Sequence, residues 1–252
     1  MAMGFMFWTA AACPCFIGQE WDPATNRLRW ALPFKDPCQC TTVELGGVNV
    51  IRPQGPFRTS YFDAPLQLPE IRMRLNCSVY VCSDEEPLGM QDGRIKDEQI
   101  TASSYYQNRL NYGPAKARLN TKAYASAWCN DEKTDPDHPW IQVKFDSEVY
   151  VTGLVTQARG DDGHNNCQQR VTHYRVTHSC DGQSWDHVTG ADCMPEEFTG
   201  NNVDQSYDHH VTARFGTVLR TRFLRILPTN WKCHCSMRFE VLGCYENKPL
   251  TA

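Results

Sequence analysis

Apolar and polar side chains alternate along Trp140-Ile141-Gln142-Val143-Lys144-Phe145-Asp146, the period-two signature of a strand with one buried face. A denser β-branched run follows from Val149 to Gln157. Val171-Thr172-His173-Tyr174-Arg175-Val176-Thr177 predicts a further strand. Cys180-Asp181-Gly182-Gln183 then gives a turn signal ahead of Trp185. Asp-Gly between two such runs predicts a hairpin. Arg222–Leu227 and Met237–Leu242 complete the set. Short strands, polar loops and no amphipathic helix predict an all-β fold, an antiparallel sandwich or jelly roll.

The pattern changes upstream. Residues 18–81 carry Trp21 and Trp30 among Pro33, Pro37, Pro53, Pro56, Pro65 and Pro69. Proline at this density breaks long helices and central strands. The β-like runs Val48–Ile51 and Cys77–Val81 are short. The segment reads as small and irregular, either an incomplete disulfide-linked module or a linker. Within it, Asn76-Cys77-Ser78 fits the N-glycosylation acceptor pattern. Residues 1–17 carry no charge and include Ala10-Ala11-Ala12, which suits signal peptidase, but lack a positive n-region. They read as a signal peptide or a truncated leader.

Composition narrows the compartment. The 252 residues hold 25 Lys+Arg against 29 Asp+Glu, a formal net charge of −4. That balance gives no electrostatic reason to bind nucleic acid. No run of about 18 apolar residues predicts a helical membrane span. The 13 cysteines are the unusual number. Disulfides persist in oxidising compartments, so the chain reads as secreted or cell-surface. Zinc sites repeat a C-x₂₋₄-C spacing. Here Cys13/Cys15, Cys38/Cys40 and Cys233/Cys235 are C-x-C, and Cys77/Cys82 stands alone as C-x₄-C. No metal and no cofactor is expected.

From Cys82 onward the ordered motifs resemble a known family. They include Cys82…Pro87-Leu88-Gly89-Met90, Ile95 through Ser104, Ala117-Arg118-Leu119-Asn120 and Ala127-Trp128. Trp140–Val143, Val151–Gln157, Ser179-Cys180-Asp181-Gly182-Gln183-Ser184-Trp185 and Phe198-Thr199-Gly200-Asn201 follow in order. Thr221–Pro228 and Arg238–Cys244 close the series. Residues 82–246 are similar to the coagulation-factor 5/8 type C domain, also called the discoidin domain, with residues 247–252 as a tail. The resemblance implies a discoidin-type jelly-roll β-sandwich of two antiparallel sheets and a binding module rather than an enzyme.

The resemblance also implies a bridge between the first and last cysteines, Cys82 and Cys244. Closing a loop of that length would stabilise by roughly 4–5 kcal/mol on the chain-entropy model. Ala127-Trp128-Cys129 is similar to the collagen-binding relatives, where that cysteine pairs with one before the last strand. The expected scheme joins Cys129 to Cys235, Cys167 to Cys233 and Cys180 to Cys193. Five cysteines upstream (Cys13, Cys15, Cys38, Cys40 and Cys77) cannot all pair among themselves.

In this family the loops opposite the terminal disulfide form the binding surface, and loops on a rigid sandwich commonly carry ligand sites. Three segments map there: Tyr105–Tyr112, Arg159–Cys167 and Trp231–Cys235. The candidate ligand-binding residues are Tyr105, Tyr106, Asn108, Arg109, Leu110, Tyr112, Arg159, Asp161, Asp162, His164, Trp231 and His234. The tyrosines and Trp231 offer aromatic faces with polar tips, suited to protein contacts or sugar stacking. Arg159 corresponds to an arginine of the collagen-binding relatives, although Ala158 stands where they have glycine. Tyr106 takes the place of a tryptophan.

Lipid-binding relatives carry pairs of large apolar residues at the loop tips. Here the tip reads Arg109-Leu110, and Asp161 and Asp162 would be repelled by an anionic bilayer. The same two carboxylates fall far short of the six to eight oxygens of a calcium site. Catalysis finds no support: His173 and His178 lie five apart on a predicted strand and face opposite sides. No nucleophile elbow, His-Glu-x-x-His or phosphate loop is present in the sequence. The expected function is adhesion or recognition, binding an extracellular protein or glycan. Peripheral binding to anionic phospholipid membranes is the alternative.

Overall fold

The structure is a computed structural model. It describes residues 14–32, 42–45, 59–75, 82–122, 124–135, 137–161, 163, 167–190, 194–202 and 207–245. Two compact units emerge, the second beginning at Tyr80.

The amino-terminal unit is not the irregular segment its prolines suggest. Strands β1 (Pro14–Asp22) and β2 (Arg27–Leu32) form an antiparallel hairpin. Strands β3 (Thr42–Leu45) and β4 (Ser60–Phe62) flank it, in the order β3-β1-β2-β4. Asp22 fixes the hairpin turn. Its carboxylate accepts from the Ala24 N–H at 2.9 Å, the Thr25 hydroxyl at 2.6 Å and Arg29 at 2.9 Å. Ile17, Leu32 and Phe62 pack with Leu66 and with Ile71 of helix α1 (Leu68–Arg74) to make a small core. The prolines fall mostly between these elements, which is how a proline-rich segment still forms a sheet. The runs Val48–Ile51 and Cys77–Val81, Asn76 and the leader lie outside the described residues.

The carboxyl-terminal unit is built on four long strands. They are β8 (Ile141–Gln157), β9 (Arg170–Ser179), β12 (Val211–Lys232) and β13 (Ser236–Tyr245). Short strands complete the sheets: β5 (Glu86–Pro87), β6 (Ile100–Ala102), β7 (Trp128–Cys129), β10 (Asp186–His187) and β11 (Phe198–Thr199). The main hydrogen-bonded path runs β10-β9-β12-β8-β13-β5, with its β12–β9, β12–β8 and β8–β13 pairs all antiparallel. The two runs read as separate strands before and after Glu148 are one 17-residue strand. Its pairing with β12 shifts register between Arg214 and Leu219 and between Thr221 and Phe223. Such shifts let one strand bend from one layer of a sandwich to the other.

The core between the layers holds Leu88, Ile100, Trp128, Ile141, Val143, Phe145, Val151, Leu154, Tyr174, Val176, Leu224, Ile226, Phe239 and Val241. Trp128 is wholly buried, and its indole N–H donates to the Ser104 carbonyl at 2.9 Å. On β12, Arg225 lies 4.2 Å from the Trp140 ring centroid and 3.8 Å from that of Trp185, a stack that ties the predicted hairpin to the sheet.

Disulfides join Cys82 to Cys244 and Cys167 to Cys233. The expected Cys129–Cys235 bridge is not formed. Cys129 and Cys235 are buried thiols. Cys129 lies opposite Ser236 in the β7–β13 pair, one position from Cys235. Cys180 is an exposed thiol whose Sγ approaches the Arg220 carbonyl on β12 at 3.8 Å. Its expected partner, Cys193, lies outside the described residues. Among the described residues no helix is long and apolar enough to cross a membrane.

Candidate functional site

One end of the second unit gathers residues from all three expected loops around a cavity of about 230 Å³. Tyr106 and Tyr112 come from the first loop, Arg159 from the second and His234 from the third, with Gln169 and Cys129 beside them. Each arrives by a local rule of the chain. The first loop is two short 3₁₀ turns, Tyr106–Asn108 and Leu110–Tyr112. Gln107 and Asn108 take positive φ of 51° and 53°, a reversal that asparagine tolerates well. This folds Tyr106 back onto Tyr112, with ring centroids 5.2 Å apart and planes at 73°, an edge-to-face pair.

Arg159 follows the end of β8, and its backbone N–H donates to the Gln169 carbonyl at 3.1 Å. Arg159 is 5% exposed as a residue, and its guanidinium donates to Gln169 Oε1 at 2.9 Å and lies 5.7 Å from the Tyr112 ring centroid. The Cys167–Cys233 bridge fastens the second loop to the third. His234 sits edge-on to Tyr106 at 5.8 Å. Its Nδ1 lies 3.3 Å from Ser236 Oγ, which in turn is 3.3 Å from Gln169 Oε1. Arg159, Gln169, Ser236 and His234 thus form a connected polar wall facing the aromatic one.

A buried clamp holds this wall in register. Arg238 on β13 is fully buried and donates to the carbonyls of Ala158 at 2.8 Å, Thr121 at 3.0 Å and Tyr207 at 2.7 Å. Burial lowers its affinity for a proton. Because Ala158 precedes Arg159, the clamp fixes where the second loop leaves the sheet. Gly160 is closed in as well: a Cβ there would lie 2.7 Å from Ser126 Cβ.

Electrostatics at the cavity are mixed. Burial lowers the His234 pKa below its ordinary value, against Glu132 and Asp131, which raise it. The Glu132 carboxylate accepts from the Cys235 N–H at 3.0 Å. The Tyr124 hydroxyl, 3.3 Å from that of Tyr112, pushes the Tyr112 phenol up to about 12, with burial acting the same way. Both groups are therefore neutral at pH 7, and Arg159 supplies the charge that lines the cavity.

The remaining expected residues sort differently. Tyr105 and Trp231 are half-buried and pack against the main core at the loop bases. Asn108 and Arg109 are exposed, and Leu110 is 79% exposed at the tip of the first loop. Asp161 is exposed and accepts from the Gly163 N–H at 3.0 Å. Asp162 and His164 lie outside the described residues. Gln169, Cys129 and Tyr124 were not anticipated. Gln169 precedes β9 in a polar run and carries no spacing signal. Tyr124 could have been read from its place three residues before Ala127-Trp128. No group of three or more His, Cys, Asp or Glu able to hold a metal occurs among the described residues.

Comparison with known proteins now has a geometry to meet. The F5/8 type C domain family model matches residues 99–241. Bovine lactadherin is 31% identical over 218 residues, 79% of this chain and 48% of that protein. Mouse EGF-like repeat and discoidin I-like domain-containing protein 3 is 34% identical over 184 residues, 71% of this chain and 36% of that protein. The chain thus spans less than half the length of these relatives. Wild-type discoidin II from Dictyostelium discoideum shares the fold, with a TM-score of 0.51 at 20% identity over 65% of this chain and 60% of that one. The jelly-roll sandwich, the bridge across its ends and the family match together place the chain in the F5/8 type C, or discoidin, domain family.

Proposed function

We propose that the chain is an extracellular or cell-surface recognition module that binds a protein or glycan through the loop end of its second unit. The observation that carries this reading is the convergence of Tyr106, Tyr112, Arg159 and His234 on one cavity. Those residues come from three separate loops, and the Arg238 clamp and the Cys167–Cys233 bridge fix the loops beneath them. A preformed concave site with aromatic walls and a few oriented polar groups is suited to holding a ligand. Its polar groups are bonded to one another, an arrangement for positioning rather than for proton transfer, so the module is read as non-catalytic. Disulfides support the extracellular assignment.

Binding to anionic phospholipid is the second reading, favoured by Leu110 projecting beside Arg109. Burying one leucine contributes about 1.5–3 kcal/mol, too little for firm anchoring alone. The discriminating experiment presents the chain to a glycan and matrix-protein array and to phosphatidylserine vesicles. Tyr106→Ala is expected to weaken array binding about tenfold or more, as for an interface hot spot. Arg109→Ala with Leu110→Ala is expected to have the smaller effect. Strong vesicle capture abolished by the tip variant and untouched by Tyr106→Ala would reverse the ranking.

A further inference from the structure

Positive φ outside glycine occurs, among the described residues, at Asn26, Gln107, Asn108, Asn120, Ala125, Ser126, Gln168 and Cys233. Asparagine enters the left-handed region readily through local hydrogen bonds of its short side chain. Gln107, Ala125, Ser126, Gln168 and Cys233 are not residues that visit it routinely, yet their φ values are 51°, 69°, 45°, 51° and 64°. All of these lie beside the cavity. Gln107 follows Tyr106, Gln168 precedes Gln169 and Cys233 precedes His234. Ala125 precedes Ser126, whose carbonyl accepts from the Gly160 N–H at 3.3 Å, directly after Arg159. Elsewhere in the same unit the chain gives positive φ to glycine, as at Gly89 and Gly182, or to Asn120.

Taking the loop end as the recognition surface proposed above, we propose that Gln107, Ala125, Ser126, Gln168 and Cys233 are positioning residues, which hold the cavity walls in a ligand-ready arrangement at a cost to the stability of the fold. The left-handed region is a small well that disfavours a residue with a Cβ, so such a residue stays there only where its surroundings over-determine it. The surroundings here do so. The Cys167–Cys233 bridge joins the segments that carry Gln168 and Cys233. The Gln168 carbonyl accepts from Arg170 Nη1 at 3.0 Å, the Gln169 carbonyl from the Arg159 N–H at 3.1 Å, and the Lys232 carbonyl from the His234 N–H at 2.7 Å. Glycine at these positions would remove the cost, but it would also open conformations on both sides of φ = 0. A Cβ confines the backbone to one narrow well. Rigidity in the binding arrangement spares the complex the ordering of loops on association. Strain incurred merely in closing loops would scatter over the turns of the unit. Here it gathers beside Tyr106, Arg159, Gln169 and His234.

Two variants of Gln168 in the full chain test this. Gln168→Gly removes the conformational cost and is expected to raise the folded-to-unfolded ratio about fivefold or more, read from the urea midpoint. Amide hydrogen exchange reports on the cavity wall in the same sample. The Arg159 N–H, bonded to the Gln169 carbonyl, is expected to exchange about tenfold faster in Gln168→Gly even though the fold is more stable. Gln168→Ala keeps a Cβ and is expected to hold that exchange within about twofold of wild type. A residue that only closes a loop would move stability and exchange together. Slower or unchanged Arg159 exchange in Gln168→Gly, or a urea midpoint that does not rise, would overturn the inference. On an array ligand weakened by Tyr106→Ala, Gln168→Gly is expected to cut affinity about threefold or more. Such a ligand that binds Gln168→Gly as well as wild type refutes the positioning role and leaves the recognition reading standing. If no array ligand depends on Tyr106, the recognition reading falls, and the exchange contrast alone decides whether these residues hold the wall.

Discussion

Tyr174 is wholly buried between the two sheets, 5.7 Å from the Phe198 ring centroid, and its hydroxyl has no hydrogen-bond partner among the described residues. Burial alone drives its phenol pKa far up. A buried hydroxyl without a partner costs stability, whereas the ring contributes packing. Tyr174→Phe is therefore expected to stabilise the unit by about 1–2 kcal/mol, read as a higher urea midpoint with unchanged slope. A lower midpoint would mean that the hydroxyl is satisfied in solution. Arg238 shows the opposite case: each guanidinium nitrogen has a carbonyl, and the clamp thereby sets the backbone beside Arg159. Burial at the same depth is a liability in one residue and a positioning device in the other. Hydrogen-bond geometry makes the difference.

At the scale of elements, the β9–β10 hairpin shows how a local turn reaches the sheet. Asp181 Oδ1 accepts from the N–H groups of Gln183 at 2.7 Å and Ser184 at 2.8 Å, and from the Ser179 hydroxyl at 2.9 Å. Gly182 takes φ +76°, with the Phe223 ring 3.1 Å from where a Cβ would stand. The turn delivers Trp185 onto Arg225. The backbone donors, Gln183 first, lower the Asp181 pKa from 3.8 to about 2. A depressed carboxyl pKa stabilises the fold fully above the unfolded value and loses that contribution as pH falls through the folded one. The stability difference between wild type and Asp181→Ala should thus be constant above about pH 5 and shrink between about pH 4 and pH 2. Urea titrations across that range check it, and a difference independent of pH would remove the carboxylate from the turn. This hairpin was legible because Asp-Gly between β runs has a local mechanism. The continuity of β8 through Glu148 was not, since a bend between layers is set by the partner strand's register rather than by β8's own sequence. The convergence of Tyr106, Tyr112, Arg159 and His234 on one cavity was legible through loop position. The packing of Trp231 against the main core was not, because the same aromatic composition serves a loop base or an exposed face. The hairpin of β1 and β2 could have been read from Arg27-Leu28-Arg29-Trp30-Ala31-Leu32 and the Asp22 turn, but the prolines around it dominated the pattern.

Across the whole second unit, the chain ends and the cavity are held apart by β13. Its first residue, Ser236, bonds Gln169 in the cavity wall, and Cys244 near its last turn of pleat closes the bridge to Cys82. Eight residues of strand separate those points by roughly 27 Å. At the bridged end, further contacts join the same two segments. β5 pairs with Leu242 and Gly243, and the buried Glu240 carboxylate accepts from the N–H groups of Met90 at 2.9 Å and Gln91 at 2.8 Å. These bonds form only once the strands have assembled, so they add nothing to the constraint on the unfolded chain. The disulfide does, closing a sequence separation of 162 residues. Replacing both cysteines, Cys82→Ser with Cys244→Ser, is expected to lower stability by roughly 4–5 kcal/mol. The noncovalent staple keeps the native ends together, so the folded fraction should bind an array ligand with unchanged affinity. Urea unfolding followed by binding at a temperature where the variant is folded measures both quantities. Lost stability with intact binding would establish that the bridge acts on the unfolded chain and leaves the loop end alone. Weakened binding in the folded variant would instead reveal that β13 transmits the position of its bridged end to the cavity wall.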